Sequence, residues 1–378
     1  MNPIIVLGSG LAGYAIVREL RKLNRDTPIT LVTRDNGDSY SKPMLSNAFA
    51  QKKDPLSLVI SSATEIAQQL GITLLANTEV LAVHRDRRKL DTTVGTLAYD
   101  KLVLALGADP VQIPVQGDAR QDILSVNDLA DYSRLRNALG NAKSIAIMGG
   151  GLIGCEFAND LAAADYAVTV IDRGAYPLGS LVPQQAGSLL LEPLALLGVT
   201  WHFGTTVQCV DKATKGYLLT LADDSTVQAD LVISAVGLRP RIQLARECGL
   251  TVNRGIAVNE HLCSSDRSIF ALGDCAEIAG KVQPFVLPIM HAARTLARVL
   301  NGEMAKVEFP AMPVVVKTPA HPVVVSPVAK DAVGAWQVLA TGKGIKLGFF
   351  DGLNELRGFV LTGDFAGERN EMSKQLAV

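Results

Sequence analysis

The stretch Gly8-Ser9-Gly10-Leu11-Ala12-Gly13 lies between an apolar run, Ile4–Leu7, and a segment with helical spacing of apolar residues, Leu11–Leu23. A G-x-G-x-x-G sequence between a strand and a helix is typical of dinucleotide-binding folds. Its glycines permit a sharp turn and let a pyrophosphate approach the backbone. The phosphate then accepts hydrogen bonds from N–H groups at the helix N-terminus. Together with the apolar run Ile29–Val32, the stretch predicts a β-α-β unit that binds a dinucleotide.

The same order of elements recurs later in the chain. The apolar run Ser144–Met148 precedes the second loop, Gly149-Gly150-Gly151-Leu152-Ile153-Gly154. A helical pattern over Leu152–Ala163 and a further apolar run over Ala167–Ile171 follow it. Two such units in one chain predict two nucleotide sites.

An acidic residue at the end of the second strand of such a unit can bind the nucleotide ribose. Asp172 stands at this position in the second unit, where its carboxylate would accept from a ribose 2′-hydroxyl and repel a 2′-phosphate. This favours NADH over NADPH, and the neighbouring Arg173 argues against that preference. A helix cap or an exposed turn is the alternative for Asp172. In the first unit the nearest carboxylate is Asp35, which stands late and is either a ribose ligand or a solvated loop residue.

The remaining chain continues the alternation of strands and helices. Tyr99–Gly107 and Ala229–Gly237 are near copies of an apolar strand that ends in glycine. Ile269–Gly273 reads as another buried strand, and Pro288–Leu300 as a helix with proline in its first turn. From residue 309 onward, short runs rich in valine and proline predict a small β-rich domain.

Composition excludes several function classes. The net charge of −1 over 378 residues gives no electrostatic footprint for nucleic acid or an anionic membrane. The five cysteines lack metal-ligand spacing and suit free thiols in a reducing cytoplasm, and the histidines form no metal motif. The N-terminus lacks a basic region typical of a signal peptide, and no apolar run approaches the roughly 18–20 residues of a membrane span. We therefore expect a cytoplasmic protein without a metal site, without nucleic acid as a partner and without membrane insertion.

Taken together, these elements resemble the glutathione reductase-like flavoproteins, which bind two dinucleotides. The resemblance covers nearly the whole chain and rests on both glycine loops together with Leu104–Gly107, Ala235–Pro240 and Ile269–Asp274. It implies an α/β fold with two doubly wound Rossmann-like domains and a small β-rich C-terminal domain. The expected ranges are 1–110 with 243–308 for tightly but non-covalently bound FAD, 111–242 for NADH, and 309–378 for the C-terminal domain.

The resemblance also implies roles for particular residues. The first loop would hold FAD, with Asp274 on the ribityl chain, Val80 offering backbone groups to the adenine, and Val286 at the helix N-terminus near the pyrimidine end of the flavin. Lys42, Glu156 and Lys317 would be flavin-adjacent, and none is expected to act as a nucleophile or as an acid or base. The implied FAD set is Gly8, Ser9, Gly10, Leu11, Ala12, Gly13, Thr33, Arg34, Asp35, Lys42, Pro43, Val80, Gly107, Glu156, Asp274, Val286 and Lys317. The implied NAD set is Gly149, Gly151, Leu152, Ile153, Gly154 and Asp172.

Several of these side chains have plainer alternatives. Asp274 could cap a turn, and Lys42 could be a loop lysine in solvent. Lys317 stands in an apolar strand and either faces water or pairs with Glu156, because an unpaired buried charge is costly. Glu156 could instead favour its helix through the helix dipole. His291 and His321 stand on elements near the expected flavin, and we expect satisfied structural histidines there.

The segment Ser39–Asn47 contains no cysteine, so the resemblance excludes a thiol relay to a disulfide or a peroxide. It is similar to the corresponding segment of reductases that serve small iron–sulfur or iron–thiolate carriers. Together with Gly151–Leu161, Pro310–Pro313 and Val316–Pro319, the segment resembles the rubredoxin reductases of alkane-oxidising bacteria. This implies electron transfer from NADH through FAD to rubredoxin, or to a similar small acidic carrier that meets a basic rim. The alternatives are flavorubredoxin, a [2Fe–2S] ferredoxin, and a non-catalytic NADH-sensing flavoprotein. An NADH oxidase or peroxidase is disfavoured by the missing cysteine.

Overall fold

The computed structural model describes residues 2–329 and 331–376, so the predicted domain ends at residues 1 and 378 lie outside the described residues. The chain forms two compact units. The first unit comprises Met1–Lys42, Leu56–Asp109 and Leu238–Phe309. The second unit comprises Pro43–Pro55, Pro110–Gly237 and Pro310–Val378. The first glycine loop belongs to the first unit and the second loop to the second unit.

The elements follow the alternation that the sequence predicts. In chain order, the strands are β1 (Ile4–Leu7), β2 (Ile29–Val32), β3 (Ser39–Tyr40), β4 (Val59–Ser61), β5 (Thr73–Leu75), β6 (Val80–His84), β7 (Lys89–Thr92), β8 (Gly95–Ala98), β9 (Lys101–Leu104), β10 (Ala108–Pro110), β11 (Ser144–Met148), β12 (Ala167–Asp172), β13 (Val199–Phe203), β14 (Val207–Lys212), β15 (Tyr217–Leu221), β16 (Thr226–Ala229), β17 (Leu231–Ser234), β18 (Leu238–Pro240), β19 (Ile256–Val258), β20 (Ile269–Ala271), β21 (Ala276–Ile278), β22 (Val314–Val316), β23 (Val323–Ser326), β24 (Gly334–Thr341), β25 (Ile345–Asp351) and β26 (Leu356–Thr362). The α-helices are α1 (Leu11–Leu23), α2 (Pro55–Leu58), α3 (Ala63–Leu70), α4 (Leu129–Leu139), α5 (Leu152–Ala162), α6 (Gln184–Gly187), α7 (Leu191–Leu196), α8 (Gln243–Glu247), α9 (Val286–Leu300) and α10 (Arg369–Gln375).

A parallel five-stranded sheet forms the centre of the first unit, in the order β20-β9-β1-β2-β5. Strand β1 pairs with both β2 and β9, so Ile4 lies opposite Ile29 and Lys101. Helices α1 and α9 pack against each other, and buried side chains of α1 such as Ile16 and Leu20 join the core. Each such side chain contributes roughly 1.5–3 kcal/mol by leaving water. This packing fixes the end of β1 and the start of α1, where the first loop lies.

The second unit repeats the arrangement with a parallel sheet in the order β13-β12-β11-β17 and a separate antiparallel sheet β14-β15-β16. Helix α5 follows β11 and is buried from Gly154 to Ala162. The C-terminal part of the chain forms an antiparallel sheet in the order β22-β23-β26-β25-β24. The α/β fold class and the β-rich C-terminal segment that the sequence predicts are therefore confirmed.

Several element boundaries differ from the prediction. The strands predicted over Ala229–Gly237 and Ile269–Gly273 are shortened to β17 and β20, and two further differences have a clear local reason. The strand predicted over Tyr99–Gly107 spans only β9, because the chain turns at its end and Gly107 adopts a positive φ of 71°. Helix α9 starts at Val286 and not at Pro288. Proline is tolerated in a first turn because the N–H groups there have no partner within the helix.

Candidate nucleotide-binding sites

The first loop is a backbone cradle that requires glycine at two positions, Gly8 and Gly13. A Cβ atom added at Gly13 would overlap the carbonyl oxygen of Gly8, and one added at Gly8 would overlap that of Ala105. In contrast, a Cβ at Gly10 would meet nothing within 4 Å. The two ends of the loop are thus fixed by contact with the protein, whereas the space over Gly10 at the start of α1 is open. This space fits a pyrophosphate at a helix N-terminus.

The second loop repeats this geometry glycine by glycine. A Cβ at Gly154 would overlap the carbonyl oxygen of Gly149, and one at Gly149 would lie 2.8 Å from that of Ala235. A Cβ at Gly151 would meet nothing within 4 Å. Leu152 and Ile153 open helix α5, as Leu11 and Ala12 open α1. Each unit therefore carries one phosphate cradle of the same construction.

The acid of the first site is tied to its own loop. Asp35 accepts hydrogen bonds through one oxygen, Oδ1, from the hydroxyl of Ser9 at 2.7 Å, that of Thr33 at 2.8 Å and the N–H of Gly37 at 3.0 Å. The structure thus brings Ser9, Thr33 and Asp35 together, all three of which belong to the implied FAD set. Arg34 points elsewhere, is 61% exposed and lies 3.9 Å from Asp109.

The acid of the second site uses both of its oxygens. Asp172 accepts from the N–H of Gly150 through Oδ2 at 2.5 Å and from the N–H of Gly174 through Oδ1 at 2.6 Å. It therefore fastens the glycine loop to the turn that follows β12. This position at the strand end is the one that the ribose role requires.

Asp274 lies close to the first loop. It belongs to a short 3-10 turn at Gly273–Cys275 that follows β20, and a Cβ at Gly273 would lie 2.7 Å from that of Ala12. The ammonium group of Lys42 lies 3.8 Å from Asp274 Oδ2. Helix α9, which starts at Val286, packs against the same 3-10 turn. Ala12, Lys42 and Asp274 thus lie in one region of the first unit, beside α9.

Val80 follows a segment that is bound to the end of β2. It starts β6, directly after a segment whose Asn77 and Thr78 donate backbone hydrogen bonds to the carbonyls of Asp35 and Thr33 at 2.8 Å each. This places the backbone of the 77–80 segment next to the acid that the sequence assigns to the FAD ribose.

Arg241 is a residue of this region that the sequence reasoning missed. Its Nε donates to Asp109 at 2.6 Å and its Nη1 to the carbonyl of Leu106 at 3.0 Å, next to Gly107. Asp109 lies near both Arg34 and Arg241. The sequence offered a weak signal, since Asp109 and Arg241 each follow one of the two strand ends that are near copies of each other.

In the second unit, Lys317 and Glu156 form the ion pair that the sequence predicted. The Lys317 ammonium donates to Glu156 Oε2 at 2.5 Å, to the carbonyl of Pro43 at 2.6 Å and to the hydroxyl of Ser46 at 2.9 Å. The backbone N–H of Lys317 donates to Glu156 Oε1 at 2.9 Å. Glu156 is 1% exposed, so these donors replace the water that its carboxylate would otherwise bind. Ser46, which also donates to Glu156, was missed by the sequence reasoning.

Helix α5 contributes two more buried polar side chains that the sequence reasoning missed. Asn159 Oδ1 accepts from the N–H of Ala320 at 3.0 Å. Asp160 accepts from the N–H groups of Phe49 and Ala50 at 2.9 and 3.0 Å. Burial raises the pKa of Asp160, opposed by those hydrogen bonds and by the charge of Lys317. The signal for them was an acid and an amide in a helix whose other residues are almost all apolar.

Burial affects two of the histidines, and the five cysteines are free thiols. Burial lowers the pKa of His321 and of His291. The Nε2 atom of His321 is buried without a hydrogen-bond partner, so the expectation of a satisfied histidine is wrong for that nitrogen. The five cysteines form no disulfide. In residues 2–329 and 331–376 no group of acidic, histidine and cysteine side chains could hold a metal ion. The helices described are all too short or too polar to cross a membrane.

Comparison with known proteins places this geometry in a family. Residues 2–302 match the family model described as pyridine nucleotide-disulphide oxidoreductase, and residues 306–376 match a model described as rubredoxin binding C-terminal domain. A protein named rubredoxin-NAD(+) reductase from Alcanivorax borkumensis is 44% identical over 377 residues, which cover 100% of this chain and 99% of the relative.

Two further likenesses agree with this assignment. A protein named nitric oxide reductase FlRd-NAD(+) reductase from Klebsiella pneumoniae (strain 342) is 37% identical, and the match covers 99% of both chains. The covalent complex of putidaredoxin reductase and putidaredoxin contains a chain that is 25% identical, with a TM-score of 0.89 over 100% of this chain and 94% of that one. The first family model matches most of this sequence, and both glycine loops of the chain have the geometry expected of dinucleotide-binding loops. This chain therefore belongs to the pyridine nucleotide-disulphide oxidoreductase family.

Proposed function

We propose that the protein is an FAD-containing oxidoreductase that takes hydride from NADH and delivers electrons to rubredoxin. The observation that carries the proposal is the pair of matching phosphate cradles, each open at one glycine, Gly10 or Gly151. Two cradles in separate units suit two different dinucleotides. We assign FAD to the first loop and NADH to the second.

The surroundings of each loop support this assignment. In the first unit, Asp274 lies in the turn next to the loop and the 77–80 segment lies beside the end of β2, where the family resemblance puts ligands of FAD. Val286, the third of these ligands, starts α9, which packs against α1. In the second unit, Asp172 stands at the strand end where the ribose of NADH would lie, and its negative charge would repel the 2′-phosphate of NADPH. NADH is therefore the preferred donor.

When bound, FAD supplies the two-electron to one-electron conversion that links NADH to an iron carrier. The residues of this chain bind, orient and stabilise charge. We propose that the Lys317 ammonium, held by Glu156 and Ser46, is the cation that stabilises negative charge on the reduced ring, together with Lys42. Neither Glu156 nor Lys317 needs to exchange a proton in this role.

Rubredoxin is the acceptor that the similarities favour. Residues 306–376 match a domain described as rubredoxin binding, and the Alcanivorax relative that shares the full length is named for this reaction. Segment Ser39–Asn47 has no cysteine, so electrons do not pass through a thiol there. Because the sequence resembles the rubredoxin reductases of alkane-oxidising bacteria, we also propose a role in alkane oxidation. The free cysteines favour a location in the cytoplasm, where thiols remain reduced.

The test is stopped-flow reduction of the purified flavoprotein by NADH, followed by reoxidation with rubredoxin, flavorubredoxin and a [2Fe–2S] ferredoxin. We expect NADH to reduce the flavin faster than NADPH does and rubredoxin to reoxidise it fastest, with a rate that falls as salt increases. Faster reoxidation by another carrier would reassign the acceptor. Slow transfer to every carrier with a long-lived reduced complex would favour an NADH sensor.

Flavorubredoxin is the second candidate acceptor. The Klebsiella relative, 37% identical over nearly the full chain, is named for an FlRd reductase. Both candidates require the same two cradles and differ only in the docking partner, so the panel of acceptors separates them.

A further inference from the structure

Helix α5 carries a buried polar ridge of three side chains, Glu156, Asn159 and Asp160. Asn159 and Asp160 follow Glu156 by three and four residues, so the three side chains share one face of the helix. Their exposed fractions are 1%, 3% and 1%. Buried polar groups of this kind are costly unless each finds a partner, so the partners of the ridge are fixed parts of the structure.

Two members of the ridge hold two separate chain segments. Asp160 binds the N–H groups of Phe49 and Ala50, one with each carboxylate oxygen. Asn159 binds the N–H group of Ala320. Both contacts are to backbone, so they fix where these segments lie irrespective of the side chains that the segments carry.

The same two segments meet at the ammonium group of Lys317. The segment held by Asp160 contains Ser46 and also supplies the carbonyl of Pro43, both of which accept hydrogen bonds from Lys317 Nζ. The segment held by Asn159 begins with Lys317 itself, three residues before Ala320. Movement of either segment would therefore displace the ammonium group or remove its acceptors.

We infer that Asn159 and Asp160 are positioning residues that set the location of the Lys317 ammonium group for flavin reduction. The inference rests on the proposed function, because it gives Lys317 its task. Neither side chain needs to touch a cofactor.

The carboxylate of Asp160 is well suited to this role. Its two oxygens serve two consecutive N–H groups, and asparagine of the same size offers only one acceptor, so its amide would face an N–H donor. Burial raises the pKa of this carboxyl, whereas the two hydrogen bonds and Lys317 oppose the rise. The charged form therefore depends on the contacts that hold the segment.

The test uses the holoenzyme and compares Asp160→Asn with a control, Asp230→Asn. Asp230 also accepts from two consecutive N–H groups, those of Lys143 and Ser144 at 2.7 and 3.0 Å, but through one oxygen, Oδ2, and its other oxygen pairs with Lys215 at 3.2 Å. None of these partners belongs to the ridge or to the Lys317 cluster, so the variant removes a comparable carboxylate elsewhere in the second unit. We expect Asp160→Asn to slow flavin reduction by NADH roughly 3- to 30-fold at saturation, while the control changes it less than about twofold.

A double-mutant cycle separates positioning from general damage. Adding Asp160→Asn to Lys317→Met should slow reduction by less than about 1.5-fold, because the group that Asp160 positions is already gone. Asn159→Leu should act like Asp160→Asn, whereas Asn159→Asp, which keeps an acceptor for Ala320, should restore most of the rate. Hydrogen exchange of the Phe49 and Ala50 amides should rise in Asp160→Asn only.

Each opposing result has a definite meaning. If the wild-type flavin is not reduced by NADH, the proposed function fails. If the wild type reacts but Asp160→Asn behaves like its control, or its effect multiplies fully with that of Lys317→Met, the positioning inference is overturned. It is likewise overturned if Lys317→Met leaves the rate of flavin reduction unchanged.

Discussion

The two glycine loops share one backbone geometry but differ in how the neighbouring acid is used. In the first, Asp35 gathers its described hydrogen bonds on one oxygen, two of them from hydroxyl groups. In the second, Asp172 uses both oxygens, each for a backbone N–H group. The glycines thus make a generic phosphate cradle, whereas the acid adapts each cradle to its surroundings. The loops are equivalent as phosphate sites but not as acid sites.

The largest effect is expected where the loops are alike. In Gly13→Ala and Gly154→Ala, the new Cβ overlaps a backbone carbonyl oxygen, that of Gly8 or Gly149, and the loop must open. We expect Gly13→Ala to lose FAD and Gly154→Ala to lose reduction by NADH, each by more than about 100-fold in affinity or rate. Flavin absorbance per chain and stopped-flow reduction measure these effects. Normal FAD content in Gly13→Ala would contradict the assignment of the first loop.

A smaller effect is expected where the loops differ. In Asp172→Asn the amide NH₂ replaces one of the two oxygens and faces an N–H donor, that of Gly150 or of Gly174. We expect this change to weaken NADH binding roughly 10-fold. Asp35→Asn can keep its one working oxygen, so we expect FAD affinity to fall less than about threefold. Titrations with NADH and FAD measure the two losses. Equal losses would mean that the difference between the acids has no energetic consequence.

The nucleotide preference sharpens the same comparison. Asp172→Ala removes both the ribose acceptor and the charge that repels a 2′-phosphate, so it should weaken NADH more than NADPH. Binding constants for the two nucleotides in the variant and the wild type give the ratio. An equal loss for both nucleotides would leave Asp172 with only its structural contacts to Gly150 and Gly174.

The smallest expected effect concerns the residue after the last glycine of each loop, Tyr14 in the first and Cys155 in the second. Burial raises the pKa of each to about 12, from ordinary values of 10.0 and 9.0. Between pH 9 and 12 the two groups stay protonated in the folded protein but lose their protons in the unfolded chain, which favours unfolding. The free energy of unfolding is therefore unaffected by these two groups below pH 9 and falls progressively as the pH rises from 9 toward 12.

Urea unfolding between pH 8 and 11 measures that loss. Cys155→Ala should flatten the part of the curve that begins near pH 9, the ordinary pKa of its thiol. In the folded wild type the Cys155 thiol should also resist thiol reagents at neutral pH. Rapid modification of this thiol, or an unchanged pH curve in the variant, would contradict its burial beside the second loop.

Much of the fold could be predicted because its elements are encoded locally. Ile4–Leu7, Leu11–Leu23 and Ile29–Val32 occupy the ranges that apolar periodicity predicts, and the glycine loops mark their junctions. The pairing of Lys317 with Glu156 was also predictable, since a lysine in an apolar strand needs a buried partner.

The contacts that could not be predicted join residues far apart in the chain. Ser46 and Glu156, or Asp160 and Phe49, are separated by more than 100 residues, and no local pattern marks which backbone group a buried carboxylate will bind. The two hydrogen bonds of Asp172 could not be predicted for the same reason. The positions of both N–H donors depend on how two turns fold onto one strand end.

The most direct test of two loops for two nucleotides is a comparison of Gly10→Ala with Gly151→Ala. Both glycines have backbone angles that alanine adopts readily, and neither new Cβ meets the protein, so only the phosphate approaching each loop is obstructed. We predict that Gly10→Ala folds but purifies with little FAD. Gly151→Ala should keep its FAD and be reduced by NADH far more slowly, at normal rates by dithionite. Loss of FAD from Gly151→Ala, or normal FAD content in Gly10→Ala, would contradict the assignment.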